Sequence, residues 1–445
     1  MNRSIYLENR RRHLAERLNG RSIIIPSGSG AARNFPANQY AYRASSHFLY
    51  LVGEPISDSY LTFDGKAWTL SVPPPSDDDA LWHGPAESCT ALEHRLGLPV
   101  MTHDESTWDT ASLVLPSMHS GTNDKLASVL GRPIHAGVVD PVDVELARAM
   151  VKQRSVHDGL AVEELKAAAE ATAAAHHAAQ AIIEPGLSCH EVWAAMQYEF
   201  TRRGMKAAYQ PIITPHGEIL HAHSLDEVLQ DGDLVLIDVG AETASGWAGD
   251  VTRTWPVSGT LSPTQKDIMD VVYAAQQSAI DVIRPGVDYQ EVHFTACRAL
   301  AGGLVDLGIL TGEPEGLVEQ DVHALFMPHG TGHLIGLDVH DMEDLGALPG
   351  YPDGRMPSPR FGLCYLRLSR SLDAGMAVTV EPGFYQVPHL LRGSQLSQRV
   401  HQSVNWDRLE MFRDVRGIRI EDDVLVTPSG PSILSSECPS AEPKK

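Results

Sequence analysis

The sequence predicts an α/β (α+β) protein with a mixed N-terminal domain and a larger C-terminal domain. Up to about residue 155, short apolar runs alternate with polar, helix-forming segments. The composition then shifts to an alanine-rich stretch, residues 162–183, which favours a helix. Two segments offset by 100 residues also resemble each other, Ala181–Val192 and Asp281–Val292. These three observations indicate a first domain followed by a second domain built from a duplicated unit.

Composition limits the function. The chain has 445 residues, a formal net charge of −22 and a pI near 5.3, which argue against nucleic acid or an anionic membrane as partner. Neither a signal-peptide pattern nor a transmembrane run of about 18 apolar residues is present. The five cysteines include no CxxC pair, which suits a reducing compartment. We therefore expect a cytoplasmic protein.

The N-terminal domain, residues 1–155, is expected to open with a charged helix from Glu8 to Leu18 and a strand from Ser22 to Ile25. Further strands are predicted at Phe48–Val52, Tyr60–Phe63 and Ala67–Val72 from their apolar and β-branched residues. Nothing in this domain has a spacing suited to catalysis.

The C-terminal domain is predicted at residues 156–434, followed by a disordered tail at residues 435–445. In both copies of the internal repeat a helix ends at a Pro-Gly pair, and a new helix starts a few residues later. Duplicated units of this kind would place an active site at a pseudo-twofold interface.

A predicted hairpin carries two acids. Its strands are Asp233–Gly240 and Gly249–Trp255, joined by a turn-rich segment. If the hairpin is centred on Ala244, Asp238 lies opposite Asp250, and like charges in that position repel. Such a pair needs a cation between the carboxylates, or one of them must be protonated. Taken alone, the pair is more typical of a surface hairpin with two solvated acids.

Three further stretches carry acids and histidines. His329 and His333 are four residues apart, Glu381 follows an apolar run, and strand alternation places Arg419 and Glu421 on one face. Each has an ordinary interpretation, as a loop, a turn or an exposed edge. Together with the hairpin they supply four carboxylates and one imidazole, which match the charge of two divalent ions. Oxygen-rich donors of this kind suit Mn²⁺, Co²⁺ or Fe²⁺ better than a structural zinc.

Other hydrolase classes lack their motifs here. No HExxH sequence is present, so a mononuclear zinc peptidase of that type is not indicated. No GxSxG elbow is present either, which argues against a Ser/His/Asp hydrolase.

The stretches HGTGHLIGLDVHD, VTVEPG and GIRIEDD resemble the metal-binding motifs of the pita-bread metallopeptidases, which include methionine aminopeptidase, aminopeptidase P and prolidase. The resemblance implies a curved, mainly antiparallel sheet with pseudo-twofold symmetry. It also implies two divalent ions, Mn²⁺ first and Co²⁺, Zn²⁺ or Fe²⁺ as alternatives. The implied ligands are Asp238, Asp250, His333, Glu381 and Glu421. The segment Tyr42–Pro55 resembles the creatinase-like N-terminal domain of the proline-specific members.

Within this family the sequence favours prolidase, which cleaves Xaa-Pro dipeptides. Arg367 lies fourteen residues before Glu381, where prolidases have an arginine that holds the carboxylate of the substrate. A bidentate Arg–carboxylate pair recognises a free chain end, and a longer peptide would leave the guanidinium unpaired. The alternatives are aminopeptidase P, which acts on longer Xaa-Pro peptides, and a non-catalytic binding module of the same fold.

The resemblance also implies roles for individual residues. A metal-bridging hydroxide would attack the carbonyl before proline, and Glu381 would carry the proton to the proline nitrogen. Arg419 is expected to hold Glu421 in place. The implied catalytic residues are Glu381, His340 and His329. The implied substrate-binding residues are His221, Arg367, His340 and Arg419. The expected partners are a short Xaa-Pro peptide and a second copy of the chain in a homodimer.

Overall fold

The computed structural model describes residues 3–105, 108–352 and 354–440, and it divides into two compact units. The first unit extends to Leu160 and includes the segment Met342–Pro349. The second consists of Ala161–Asp341 and the residues from Gly350 onward. The compact units divide a few residues after the predicted boundary at residue 155, and the prediction of independent domains stays a prediction.

The first unit is built around a mixed five-stranded sheet with the strand order β4-β3-β2-β1-β5. Strands β1–β2 and β2–β3 pair antiparallel, whereas β1–β5 and β3–β4 pair parallel. Its strands are β1 Ile23–Pro26, β2 Tyr60–Phe63, β3 Trp68–Val72, β4 Val100–Thr102 and β5 Leu113–Val114. Its helices are α1 Arg3–Arg17, α2 Ser46–Val52, α3 Asp77–His83, α4 Cys89–Leu96, α5 Ser120–Leu130 and α6 Val144–Arg154.

One predicted strand of this unit is wrong. Residues 48–52 form part of helix α2, because Ser45 caps its start and Gly53 ends it in the left-handed conformation. The Ser45 hydroxyl accepts from the Phe48 amide, and every residue of α2 is buried. A fully buried helix shows a continuous apolar run, which cannot be distinguished from a buried strand by periodicity.

In the second unit, the described strand pairs are all antiparallel. They form the sheets β10-β8-β7 and β11-β14-β15 and the pairs β12-β13 and β6-β9. The strands are β6 Lys206–Ala207, β7 Ile212–Thr214, β8 Leu234–Asp238, β9 Ala241–Glu242, β10 Thr252–Pro256, β11 Ala377–Val380, β12 Gly383–Tyr385, β13 Gly417–Arg419, β14 Asp422–Thr427 and β15 Gly430–Ile433.

Helices alternate with these strands along the chain. They are α7 Gly159–Ile182, α8 Cys189–Thr201, α9 Pro263–Asp281, α10 Tyr289–Asp306, α11 Pro314–Glu319, α12 Pro388–Leu391, α13 Gln395–Arg399 and α14 Trp406–Glu410. Short 3₁₀ helices occur at Val322–Leu325 and His401–Ser403, and a third, Glu343–Leu345, belongs to the first unit. Within the described ranges, no helix combines the length and the apolar character needed to cross a membrane.

The internal repeat of the sequence corresponds to a structural repeat. Helices α7 and α8 match α9 and α10, and each pair is joined through a Pro-Gly turn whose glycine has a positive φ. The Gly186 amide donates to the Leu229 carbonyl, and the Gly286 amide donates to the Leu372 carbonyl, both at 2.8 Å. Equivalent turns therefore connect equivalent elements, as pseudo-twofold symmetry requires.

Helix α7 supports the acid-bearing hairpin directly. Most of its alanines are buried, and their small side chains allow a close approach to the chain at Gly249, where an added Cβ would lie 3.0 Å from the Thr172 hydroxyl oxygen. That hydroxyl also accepts a hydrogen bond from the Ala241 amide at 2.9 Å. The alanine-rich helix thus fixes the position of the chain on both sides of the turn.

Residues 435–440 do not form the expected tail. Ser435 is fully buried, and its hydroxyl donates to Asp422 Oδ1 at 2.6 Å. The carbonyl of Pro439 accepts from Arg253 Nε at 2.9 Å. The remaining residues of the predicted tail, 441–445, lie outside the described residues.

Candidate metal centre

The first acid of the centre, Asp238, is the last residue of β8. Strands β8 and β10 pair so that Asp238 lies opposite Thr252, and the predicted register, with Asp238 opposite Asp250, is wrong by two residues. Beyond the strand ends the two backbones come close together, and a Cβ on Gly240 would stand 1.7 Å from the Gly249 carbonyl oxygen. Only glycine fits this approach, so Gly240 permits the observed alignment.

Asp238 and Asp250 nevertheless converge. The hydroxyl of Tyr209 lies 2.6 Å from Oδ1 of each carboxylate, so the two oxygens are no farther apart than twice that distance. Sequence reasoning gave Tyr209 no role, because the segment from Tyr209 to His221 looks shorter than in prolidases. The structure makes it the direct neighbour of both acids.

The other predicted ligands come from the second half of the repeat. Glu381 follows β11, Glu421 lies between β13 and β14, and His333 lies on the loop before β11. His333 Nε2 is 3.4 Å from Asp250 Oδ2 and 3.9 Å from Glu381 Oε1. One ligand atom from each of Asp250, His333 and Glu421 lies within 4.8 Å of the others. All five predicted ligands therefore meet at one place.

Arg419 contacts the centre differently from the prediction. Its guanidinium forms an ion pair with Asp238 rather than with Glu421, and it also donates to the Tyr385 hydroxyl at 3.2 Å. Glu421 is reached through Thr252, whose hydroxyl donates to Glu421 Oε2 at 2.7 Å and accepts from Arg419 Nε at 3.1 Å. The register of the hairpin explains this, because it places Thr252 rather than Asp250 beside the arginine. Sequence reasoning missed Thr252 and Tyr385.

The electrostatics of the centre call for a cation. Burial raises the pKa of Glu381 to about 7 and, with the neighbouring Asp250 and Glu381, raises the pKa of Glu421 well above its ordinary value. Burial and Asp250 also outweigh Arg419 and raise the pKa of Asp238. Burial alone would lower the pKa of His333, but Asp250 raises it to about 9. Without cations, buried carboxylates this close must retain protons.

The donor set fits divalent ions. Asp250, His333 and Glu421 are at most 5% exposed, and the side chains of Asp238 and Glu381 are 13% and 19% exposed. Buried charges are normally paired or bound to metal, and one arginine does not balance four carboxylates. Carboxylate oxygens with one imidazole can hold two divalent ions whose charge neutralises the acids.

The remaining predicted site residues lie around this centre. His329 Nε2 is 2.9 Å from the Tyr385 hydroxyl, and its Nδ1 is 3.8 Å from Glu381 Oε2. The ring of His340 packs edge-on against that of His333, with 4.3 Å between centroids. His221 is exposed, but partial burial and the Arg419 charge lower its pKa. His329 and His340 thus lie beside the carboxylate centre.

Arg367 is exposed and acts on the centre through its charge. Burial lowers the pKa of His329 to about 4, and the positive charges of Arg419 and Arg367 contribute to this shift. Arg367 also contributes to the lowered pKa of His221. Arg367, whose side chain is exposed, therefore lies close enough to His329 and His221 for its charge to lower the pKa of both.

Comparison with protein families gives two matches. Residues 163–428 match the family described as metallopeptidase family M24. Residues 7–117 match the family described as aminopeptidase P, N-terminal domain. The first match spans more than half of the chain.

Similar proteins carry related names. A protein of Fusarium vanettenii named "Probable Xaa-Pro aminopeptidase PEPP" is 32% identical, over 89% of this chain and 84% of its own length. "Xaa-Pro aminopeptidase 1" of Streptomyces coelicolor is 30% identical, over 97% of this chain and 84% of its own length. These names do not support the prediction of prolidase and agree with its stated alternative.

The chain is also similar to solved structures of aminopeptidases. "Proline aminopeptidase P II from Yersinia pestis" has a TM-score of 0.80 and 28% identity, covering 99% of this chain and 97% of its own. The Pseudomonas aeruginosa aminopeptidase PepP has a TM-score of 0.81 and 28% identity, covering 99% and 96%. The predicted fold class, a pita-bread domain after a mixed N-terminal domain, is confirmed. The chain belongs to metallopeptidase family M24.

Proposed function

We propose that this chain is an Xaa-Pro aminopeptidase that uses two divalent metal ions to release the first residue from peptides whose second residue is proline. The observation that carries the proposal is the convergence of four carboxylates and one imidazole from separate segments of an M24 chain. The names of the relatives support the choice of bond and favour this activity over the dipeptidase prediction.

Five residues would hold the ions: Asp238, Asp250, His333, Glu381 and Glu421. When bound, the ions lower the pKa of a water molecule and polarise the scissile carbonyl group. A single imidazole among oxygen donors favours Mn²⁺, with Co²⁺, Fe²⁺ and Zn²⁺ as alternatives. Tyr209, Thr252 and Arg419 hold the carboxylates in place through the hydrogen bonds described above.

Glu381 is the residue we assign to proton transfer. Its side chain is the most exposed of the five, at 19%, so it can reach a substrate while bound at the centre. The proline nitrogen leaves as an amine only after it gains a proton, which Glu381 would supply. His329 is neutral at pH 7 because burial lowers its pKa to about 4, and its Nδ1 donates to the Gly330 carbonyl at 2.7 Å. We place it beside the substrate, where His340 would donate a hydrogen bond to the substrate oxygen.

Prolidase remains the second candidate because of Arg367. Its exposed guanidinium acts electrostatically on His329 and His221, which we place in the substrate site. A cation there can bind a free carboxylate in bidentate fashion. In a dipeptide that carboxylate belongs to the proline, whereas in a longer peptide it lies farther away. The position of Arg367 alone does not separate the two activities.

Substrate length separates them. We expect kcat/KM in Mn²⁺ to be higher for Ala-Pro-Ala amide than for Ala-Pro, because an aminopeptidase needs no free carboxylate. A prolidase would cleave Ala-Pro and fail on the amide, and that result would overturn the proposal. Arg367→Ala should leave cleavage of the amide within about threefold of wild type, since this substrate offers no carboxylate to lose. Arg413→Ala, a surface arginine with a 79% exposed side chain, is the matched control.

Assembly and location complete the proposal. We propose a homodimer, which light scattering would test against the chain mass of 48.4 kDa. A cytoplasmic location is proposed from the five cysteines, which form no disulfide. Fractionation of the source cells would test it.

A further inference from the structure

A second set of metal-binding side chains lies in the core of the second unit. His293 and Cys297 are one turn apart on α10, and His323 lies on the 3₁₀ helix Val322–Leu325. One ligand atom from each lies within 4.8 Å of the other two. All three residues are at most 1% exposed, and none belongs to the carboxylate centre.

His323 is the member that most clearly indicates a ligand. Both of its ring nitrogens are buried, and neither has a hydrogen-bond partner among the residues that the structure describes. A buried polar group without a partner loses its hydrogen bonds to water without replacement, so such groups are rare in native proteins. A bound ion would satisfy one of these nitrogens.

The other two side chains are already oriented toward each other. His293 Nδ1 lies 2.9 Å from the Thr331 hydroxyl oxygen, while its Nε2 lies 3.5 Å from Cys297 Sγ. Histidines that bind metals usually use the second ring nitrogen for a hydrogen bond of this kind. Thr331 therefore fixes the ring with Nε2 beside the sulfur, where an ion would replace the hydrogen bond that the ring makes with the Gly362 backbone.

Charge selects the ion. Burial lowers the pKa of His293 to about 3 and that of His323 to about 4, so both rings are neutral. Burial raises the pKa of the Cys297 thiol, so the thiolate that supplies one negative charge would form only as a cation binds. A monovalent cation gives a neutral complex, whereas a divalent one leaves a buried positive charge, which is costly. The nearby acid Asp321 is already paired with Arg360 and Arg399, at 2.6 and 2.9 Å.

We propose that Cys297, His293 and His323 form a buried binding site for a single Cu⁺ ion. Thiolate and imidazole are the ligand types that select copper in this oxidation state. The Cys297 thiol releases its proton to solvent as the copper–sulfur bond forms, and the copper keeps its oxidation state.

The site would join α10 to the loop of the carboxylate centre. The His323 carbonyl accepts from the amides of Phe326 and Met327, and the Thr331 carbonyl accepts from the Glu381 amide at 2.8 Å. The ion would therefore tie helix α10 to the segment that leads to His329 and His333. Binding to the folded chain alone stabilises it by mass action.

Competition for Cu⁺ tests the proposal. The full chain, first freed of metal by a chelator, is titrated with Cu⁺ alone under anaerobic conditions against a coloured Cu⁺ chelator. Wild type should hold one Cu⁺, and Cys297→Ala should weaken binding by more than about 100-fold, since loss of an outer partner already costs about 10–100-fold. Thr331→Val should fall in that lower range. Cys189→Ala removes another fully buried thiol and should bind like wild type.

X-ray absorption of the loaded wild-type chain gives a second readout that does not depend on any variant folding. One sulfur and two imidazole nitrogens around copper would support the site. A spectrum with no sulfur ligand would overturn it, as would a wild-type affinity no higher than that of Cys297→Ala. Affinity should also rise about tenfold per pH unit, because binding releases one proton.

Discussion

Replacing Thr252 by valine tests how the hairpin register supports the metal centre. Thr252 is fully buried, pairs with Asp238 across the sheet and links Glu421 to Arg419 through its hydroxyl. Valine has the same shape and keeps the strand, so the change removes only the two hydrogen bonds.

The expected loss can be worked out from these bonds. Both involve a charged partner, and hydrogen bonds to charged groups contribute about 1.5–3 kcal/mol. Loss of a residue that orients a metal ligand typically weakens metal binding about 10–100-fold, which corresponds to about 1.4–2.8 kcal/mol. We therefore expect Thr252→Val to weaken binding of Mn²⁺ by about 10–100-fold and to lower kcat/KM at limiting Mn²⁺.

Thr254→Val is the matched control. Thr254 is also fully buried and lies two residues along β10, but its hydroxyl bonds to the backbone of Arg419 rather than to a ligand carboxylate. Calorimetric titration of the chelator-treated variants should show weaker Mn²⁺ binding for Thr252→Val only. The reasoning would be refuted if both variants bound Mn²⁺ as tightly as wild type, or if both lost affinity by the same factor.

Three further predictions concern the same centre. In the metal-free chain, burial raises the pKa of Glu381 from 4.5 to about 7, so the folded chain retains a proton that the unfolded chain releases. The contribution of Glu381 to the unfolding free energy is therefore present below about pH 4.5 and lost as the pH rises through about 7, by at most about 3 kcal/mol. Urea unfolding in the presence of a chelator measures this loss in wild type and in Glu381→Gln at pH 5 and pH 8. If the difference in unfolding free energy between the two proteins is the same at both pH values, the prediction is contradicted. Gly240→Ala should destabilise the chain by about 3 kcal/mol or more, because its methyl group overlaps the Gly249 carbonyl; thermal unfolding measures this, and a stable variant would contradict the observed register. Tyr209→Phe should change metal affinity, because it removes the hydroxyl shared by Asp238 and Asp250, and a titration identical to wild type would count against its role.

The sequence predicted the parts of this fold that depend on local pattern. The Pro-Gly turns at Gly186 and Gly286 could be recognised because a helix end and a positive φ leave a strong signal. The acid and histidine motifs, including Asp238 and His333, could be recognised because each occupies a short contiguous stretch. The structure brings all of the predicted ligands together, and their roles remain proposals.

The rest depended on contacts between distant residues. The observed hairpin register includes a close approach of Gly240 to Gly249, which the alternation of apolar and polar residues does not reveal. The pairing of Arg419 with Asp238 followed from that register, since a shift of two residues placed Thr252 between Arg419 and Glu421. A turn-centred estimate of pairing carries no information on how closely two backbones approach, and this is where the prediction went wrong.

The choice between prolidase and aminopeptidase P depended on one exposed arginine. The spacing of Arg367 to Glu381 suggested a carboxylate-binding residue, but spacing does not determine what chain length the surrounding surface accepts. The names of the relatives, which include Xaa-Pro aminopeptidase, favour the aminopeptidase over the dipeptidase. Specificity of this kind resides in the exposed rim of a site rather than in its motifs.

Metal stoichiometry, measured together with activity, is the most direct test of the central claim. The chelator-treated chain should bind two Mn²⁺ ions and hydrolyse Ala-Pro-Ala only when Mn²⁺ is restored, and Asp250→Asn should lose both properties. Hydrolysis that persists in the metal-free chain, or a wild-type chain that binds no divalent ion, would contradict it.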